Sequence, residues 1–292
     1  MLNKLFGYDP AKTTIRTEVL AGITTFLTMS YILAVNPGMF SQLEGMSAGA
    51  VFTATALAAV IGSLVMAIWA KMPFGLAPGM GLNAFFVFTV CMGMGYSWQF
   101  ALTAVFIEGL IFIILTLTNL REAIVNAIPA SIKNAIGAGI GLFIAFIGLQ
   151  NAGIIANNDA TLVSLGEITK GGPLLGLIGL VITGLLVVKN VRGGLLIGIL
   201  VTTLIGIPMG ITNYQGIISA PHSVSDIFCK FEWENIFTLD MLVVVFTFLY
   251  TDIFDTVGTL IGVAQKGNLL NQKGELPKAG GALMADAVGT VV

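Results

Sequence analysis

At 292 residues, with 56% hydrophobic and 10% charged side chains, the chain cannot clothe a water-facing surface, for which about 25% charged residues is usual. Its net charge of −2 gives no nucleic-acid surface, and two distant cysteines (Cys91, Cys229) with one histidine (His222) give neither a disulfide framework nor a multi-histidine metal centre. A polytopic membrane protein follows.

In chain order, the polar, mixed-charge residues 1–18 do not read as a signal peptide. A bilayer crossing needs about 20 apolar residues. Such stretches fall at 17–36, 48–70, 75–92, 97–118, 132–150, 173–189, 193–211 and 237–262, and a ninth begins near 280. With the N-terminus in the cytoplasm, eleven of the thirteen Lys and Arg residues face inside and only Lys170 and Lys230 face outside, the bias expected of inner loops. Two connecting segments, 121–133 and 223–237, read as amphipathic and surface-lying, with Trp233 suited to the headgroup layer.

The third span is interrupted. Pro73, Gly75, Pro78, Gly79 and Gly81 crowd its start, and helix-compatible sequence resumes at Leu82. The expectation is an extended stretch turning into a half-helix near Gly81–Asn83, lining a cavity. A helix starting there would aim free N–H groups and a positive dipole end at a ligand, beside the Asn83 amide. Spans five to seven are plain Leu/Ile/Gly helices without acids. They read as a wall or gate, their small residues allowing close helix approach.

The eighth span, TFLYTDIFDTVGTLIG, carries two acids. On a helix Asp252, Asp255, Thr256 and Thr259 share one face. Ionised acids are costly in lipid, so intramembrane acids read as functional, here as proton carriers. Glu108 of span four is a third such acid, with a structural alternative in which it pairs with Thr24, Thr25 or Thr28. Asp286 lies too near residue 292 to be placed. Spans one and eight run in opposite directions, as an inverted repeat requires, although no internal self-similarity is evident. The sequence reads as part of a longer chain.

The segments RTEVLAGITTFLTMSYILAVNP, PFGLAPGMGLNAFF, IPASIKNAIGAGIGLFIAFIGLQNAGII, DIFDTVGTLIGVAQKG and ADAVGT together resemble the nucleobase–cation symporters, specifically the adenine/guanine/hypoxanthine permease branch. The resemblance implies an all-α fold of two inverted seven-span repeats, with a short strand in spans three and ten. It also implies proton-driven purine uptake without a cofactor, in the cell membrane. Residues 1–118 would belong to a core domain, 119–211 to a gate, 212–236 to a connection outside the membrane, and 237–292 to the start of the second core half. By the same resemblance, Asp255 of the DTxGT pattern would contact the purine, with Asp252 beside it, Thr259 closing the pattern and Asn83 opposite. A further carboxylate would lie on a tenth span beyond residue 292. Chemically, a carboxylate accepts purine N–H groups, the half-helix start at Gly81 donates to ring nitrogens, and Phe85 or Phe86 offers a ring to stack on. Sodium coupling and a homodimer stay open. The alternatives are a carrier of the same architecture for uracil, xanthine or an inorganic anion and, remotely, an intramembrane aspartyl protease using Asp286. The latter is disfavoured because Asp252 and Asp255 sit on one helix.

Overall fold

The computed structural model describes residues 5–11, 13–118, 129–191, 193–213, 216, 219–271 and 276–292. It is mostly helical, with a single two-stranded sheet among the described residues. Among the described residues, five helical stretches are long and apolar enough to cross a membrane: Ile15–Phe40, Ala48–Ala70, Trp98–Leu117, Gly171–Val188 and Leu239–Lys266. Met80–Gly93, Gly141–Asn151, Gly194–Gly206 and Ala279–Val291 are shorter apolar helices.

The chain forms two compact units. The first comprises residues 1–14, 32–140 and 221–292. The second comprises 15–31 and 141–220. The first apolar span is therefore divided. It consists of α1 (Ile15–Met29) and α2 (Ile32–Phe40), separated by a turn at Ser30–Tyr31. Hydroxyls weaken the helix there: Thr24, Thr25, Thr28 and Ser30 all donate to carbonyls three or four residues back, a pattern that bends helices. Pro37 then deprives the Leu33 carbonyl of its helical donor.

In the first unit, α3 (Ala48–Val65) starts on Ser47, whose hydroxyl accepts from Ala50 N. It widens into a π turn at Met66–Ala70 and stops at Lys71, in the left-handed conformation. Residues 72–79 form no regular secondary structure, and Gly79 at their end is extended. Next, α4 (Met80–Ala84) continues as a π-helical stretch, Phe85–Gly93. Then α5 (Trp98–Leu117) is capped by Ser97. The long α9 (Leu239–Lys266) is capped by Thr238, with Asp240 in its first turn and Lys266 in its last, both complementing the helix dipole. Finally α10 (Ala279–Val291) packs on α3, on the π turn after it and on α5.

Small residues permit this packing. Ala70, Ala264, Ala282 and Ala285 form a core with Met66 and Phe74. A Cβ added at Gly281 would meet Ala70 Cα at 3.4 Å, and Gly289 faces the Gly62 backbone. Gly109 of α5 is tighter: an added Cβ would lie 2.7 Å from Val291 Cγ2 and 3.2 Å from Val291 N. Gly109→Leu should therefore destabilise the protein by about 1–3 kcal/mol through overpacking. Gly139→Leu, where a Cβ meets nothing within 4 Å, should leave the thermal unfolding midpoint in detergent unchanged.

In the second unit, α6 (Ala130–Asn151), which starts in the first unit, is followed by a hairpin of β1 (Ile155–Asn158) and β2 (Leu162–Leu165). The strands are antiparallel, with Ile155 opposite Leu165. The Asn158 carboxamide oxygen accepts from Ala160 N and Thr161 N in the turn. Helices α7 (Gly171–Val188) and α8 (Gly194–Gly206) pack together, and α1 lies against α8. Gly179 faces Thr202 and Gly198 faces Thr183.

The interfacial-helix expectation for 223–237 is not met: the segment is a series of turns. Its side chains are committed to α5 instead. Glu232 N donates to Thr103 Oγ1 at 2.8 Å, its carboxylate accepts from Ser97 Oγ and Asn235 Nδ2, and Phe231 and Trp233 pack on Phe106. The nearby Tyr96 hydroxyl is pushed above the usual phenol range by its hydrogen bond to Asp240. Of the other segment expected to lie on the surface, 121–133, residues 121–128 lie outside the described residues.

Candidate functional site

The interrupted third span sets the geometry. Gly79 is the N-cap of α4, with φ −75° and ψ 126°, and it contributes no side-chain cap. Asn83 N closes the first turn onto Gly79 O at 3.1 Å. The N–H groups ahead of it have no carbonyl within the helix to bond. A Cβ added at Gly79 would sit 3.0 Å from Asp255 Oδ2. The carboxylate of Asp255 thus lies at the open, positive end of the half-helix. At Gly81, one residue into α4, an added Cβ would meet nothing within 4 Å.

The two acids of α9 are not equivalent. Asp252 is 5% exposed, whereas Asp255 is half-buried. Thr256 lies between Asp252 and α10: its hydroxyl is 2.9 Å from Asp286 Oδ2 and 3.4 Å from Asp252 Oδ1. Asp286, unplaced by sequence reasoning, therefore joins the acid pair. Thr259 does not: it is exposed, and its hydroxyl donates back to the Asp255 and Thr256 carbonyls.

Asn83 Nδ2 donates to Asn36 Oδ1 at 2.8 Å, and Asn36 Nδ2 donates to Thr55 Oγ1 at 3.2 Å. This polar ladder joins α4, α2 and α3. Sequence reasoning missed Asn36, which is 2% exposed within an apolar helix. The signal was available, because a buried amide must find partners. Phe85 meets Phe248 edge-on at 5.0 Å, and Phe86 is buried against Phe40 and Phe248.

Glu108, 1% exposed, sits on α5 beside Gly109, the residue that faces Thr290 and Val291. The hydroxyls of Thr24, Thr25 and Thr28, the alternative partners named for Glu108 from sequence, donate to carbonyls of their own helix. In the second unit, a cleft of about 320 Å³ is lined by Leu175, Gly179, Thr183, Ile199, Thr202, Thr203 and Thr212. It has no charged group, so the acids, the half-helix and the asparagine ladder define the stronger candidate.

A membrane-spanning helical bundle with a broken helix facing buried acids is the architecture of a carrier. The sequence model of the Permease family, of the xanthine/uracil type, matches residues 16–292. The chain belongs to this family, and so stands among permeases and not enzymes. It is similar to the guanine/hypoxanthine permease PbuG of Bacillus subtilis, at 45% identity over 303 residues, covering 100% of this chain and 68% of the relative. It is also similar to the adenine permease AdeP of Escherichia coli K12, at 43% over 291 residues, covering 100% and 65%. The guanine/hypoxanthine permease PbuO of Bacillus subtilis is 43% identical over 296 residues, covering 99% and 68%. The chain thus spans about two-thirds of the length of these relatives.

Proposed function

We propose that the complete protein carries purine nucleobases (adenine, guanine or hypoxanthine) across the cell membrane by proton symport. The single observation that carries this reading is the seat of the Asp255 carboxylate against Gly79 at the start of α4. That arrangement suits a flat, neutral base with donors and acceptors on one edge. Asp255 accepts N–H bonds from the base, and the first-turn N–H groups of α4 donate to ring nitrogens. The space over Gly81 admits the ring, Asn83 is held in orientation by Asn36, and Phe85 forms part of the wall. An inorganic anion would be repelled by the acids.

In this reading Asp252, with Thr256 and Asp286 beside it, carries the coupled proton, and Glu108 is a further acid within reach of proton traffic in the core. Helices α7 and α8, which carry no acid, belong to the gate. In the same reading the N-terminus is cytoplasmic, which the Lys and Arg distribution supports.

The test is uptake of radiolabelled adenine, guanine and hypoxanthine by cells lacking their own purine carriers and expressing the complete protein. Saturable uptake that stops with a protonophore and persists without sodium is expected. Absence of purine uptake overturns the reading, and uptake driven by sodium alone removes the proton. Asp252→Asn should abolish accumulation and flatten the pH profile of uptake while purine counterflow continues. An unchanged pH profile removes Asp252 from the proton path.

A further inference from the structure

Residues 72–79 interrupt the helices of the first unit with backbone of no regular secondary structure. Such backbone at membrane depth must have its polar groups satisfied by protein. Leu76 supplies the one case. Its N–H donates to Ser63 Oγ at 2.9 Å, and the same hydroxyl donates to the Leu76 carbonyl at 3.1 Å. A single side chain thus completes both backbone bonds of one residue, the service that a neighbouring strand would give. Among the described residues, no other hydrogen bond is made by residues 73–78.

The surroundings explain why this contact can form. Ser63 lies just before the π turn of α3. Its neighbour Gly62 leaves room for Leu76, since a Cβ added there would meet Leu76 Cβ at 3.3 Å and Gly289 Cα at 3.9 Å. Leu76 also packs against the Met66–Ala282–Ala285 core. Three residues further along the chain is Gly79, against which the Asp255 carboxylate rests.

The geometry points to Ser63 as a positioning residue: its hydroxyl anchors Leu76, and through Leu76 it fixes where Gly79 and the first turn of α4 stand relative to Asp255. This inference rests on reading that place as the purine site. Ser63 does not touch the base. Losing its hydroxyl frees the segment, and the acceptor and donors of the site no longer stay in register.

The test uses the complete protein with Ser63→Thr and Ser63→Val, side chains of equal shape that differ in the hydroxyl. Two quantities are measured. One is the KM of purine uptake, normalised to protein in the membrane. The other is the maleimide labelling rate of Ala77→Cys in a Cys91→Ala, Cys229→Ser background. We expect Ser63→Val to raise KM about tenfold, the scale of a lost, partly buried hydrogen bond. It should speed labelling about fivefold or more as the segment opens. Ser63→Thr should stay close to wild type in both. Should Ser63→Val not reach the membrane, Ser63→Ala takes its place in the comparison. Equal labelling of the two variants overturns the inference, as does equal KM in a protein that takes up purine. Faster labelling of Ser63→Val in a protein that takes up no purine sustains the anchoring role and refutes the purine reading instead.

Discussion

Asp255→Asn should abolish purine uptake without loss of protein from the membrane. The substitution keeps the size of the side chain against Gly79 but removes the charge and turns one acceptor into a donor. A base offering two N–H groups to the carboxylate would lose bonds worth about 1.5–3 kcal/mol each. That is at least about a hundredfold in affinity. Direct binding of labelled purine to the purified protein gives the same answer independently of coupling. Binding at wild-type affinity would sink the assignment of Asp255.

Gly79→Val should have the second-largest effect, for a different reason. The backbone of Gly79, at φ −75° and ψ 126°, is open to any L residue. Glycine is therefore not needed here for its conformational freedom. What it provides is space: a Cβ would stand 3.0 Å from Asp255 Oδ2, and the two γ-carbons of valine would crowd the carboxylate further. Either the carboxylate or the start of α4 must move. We expect uptake to fall at least about tenfold, in line with overpacking costs of about 1–3 kcal/mol, while the thermal midpoint falls only slightly. Wild-type KM in Gly79→Val would show that the carboxylate and the half-helix do not act together.

The spans and the interruption in the third of them were legible in the sequence, because both are written locally. Runs of apolar residues mark the helices, and Pro73, Pro78, Gly75 and Gly79 forbid a regular one. The shared face of Asp252 and Asp255 was legible only in part. Helical periodicity places them together, but it cannot say that Asp252 turns towards Thr256 and Asp286 while Asp255 turns towards Gly79. It also put Thr259 on the working face, where the structure leaves it exposed. Asn36 is a lone amide before a proline and belongs to no repeating pattern; its meaning comes from Asn83, 47 residues away. The turns of 223–237 were misread for the same reason. Their partners Ser97, Thr103 and Phe106 lie more than 120 residues earlier, and a local amphipathic pattern carries no trace of them. The hairpin at 155–165 had a local sign, the Asn157-Asn158-Asp159 turn residues, which the apolar-span reading passed over.

The commitment of Glu232 to Ser97, Thr103 and Asn235 has a practical side. A stretch that looks like slack cable between two sets of helices is riveted down at its middle. Epitope tags or reporter domains spliced beside Glu232 would tear out those rivets and upset the start of α5. Among the described residues, the tip of the hairpin, Asp159–Thr161, makes only local bonds, and it is the better place for a splice.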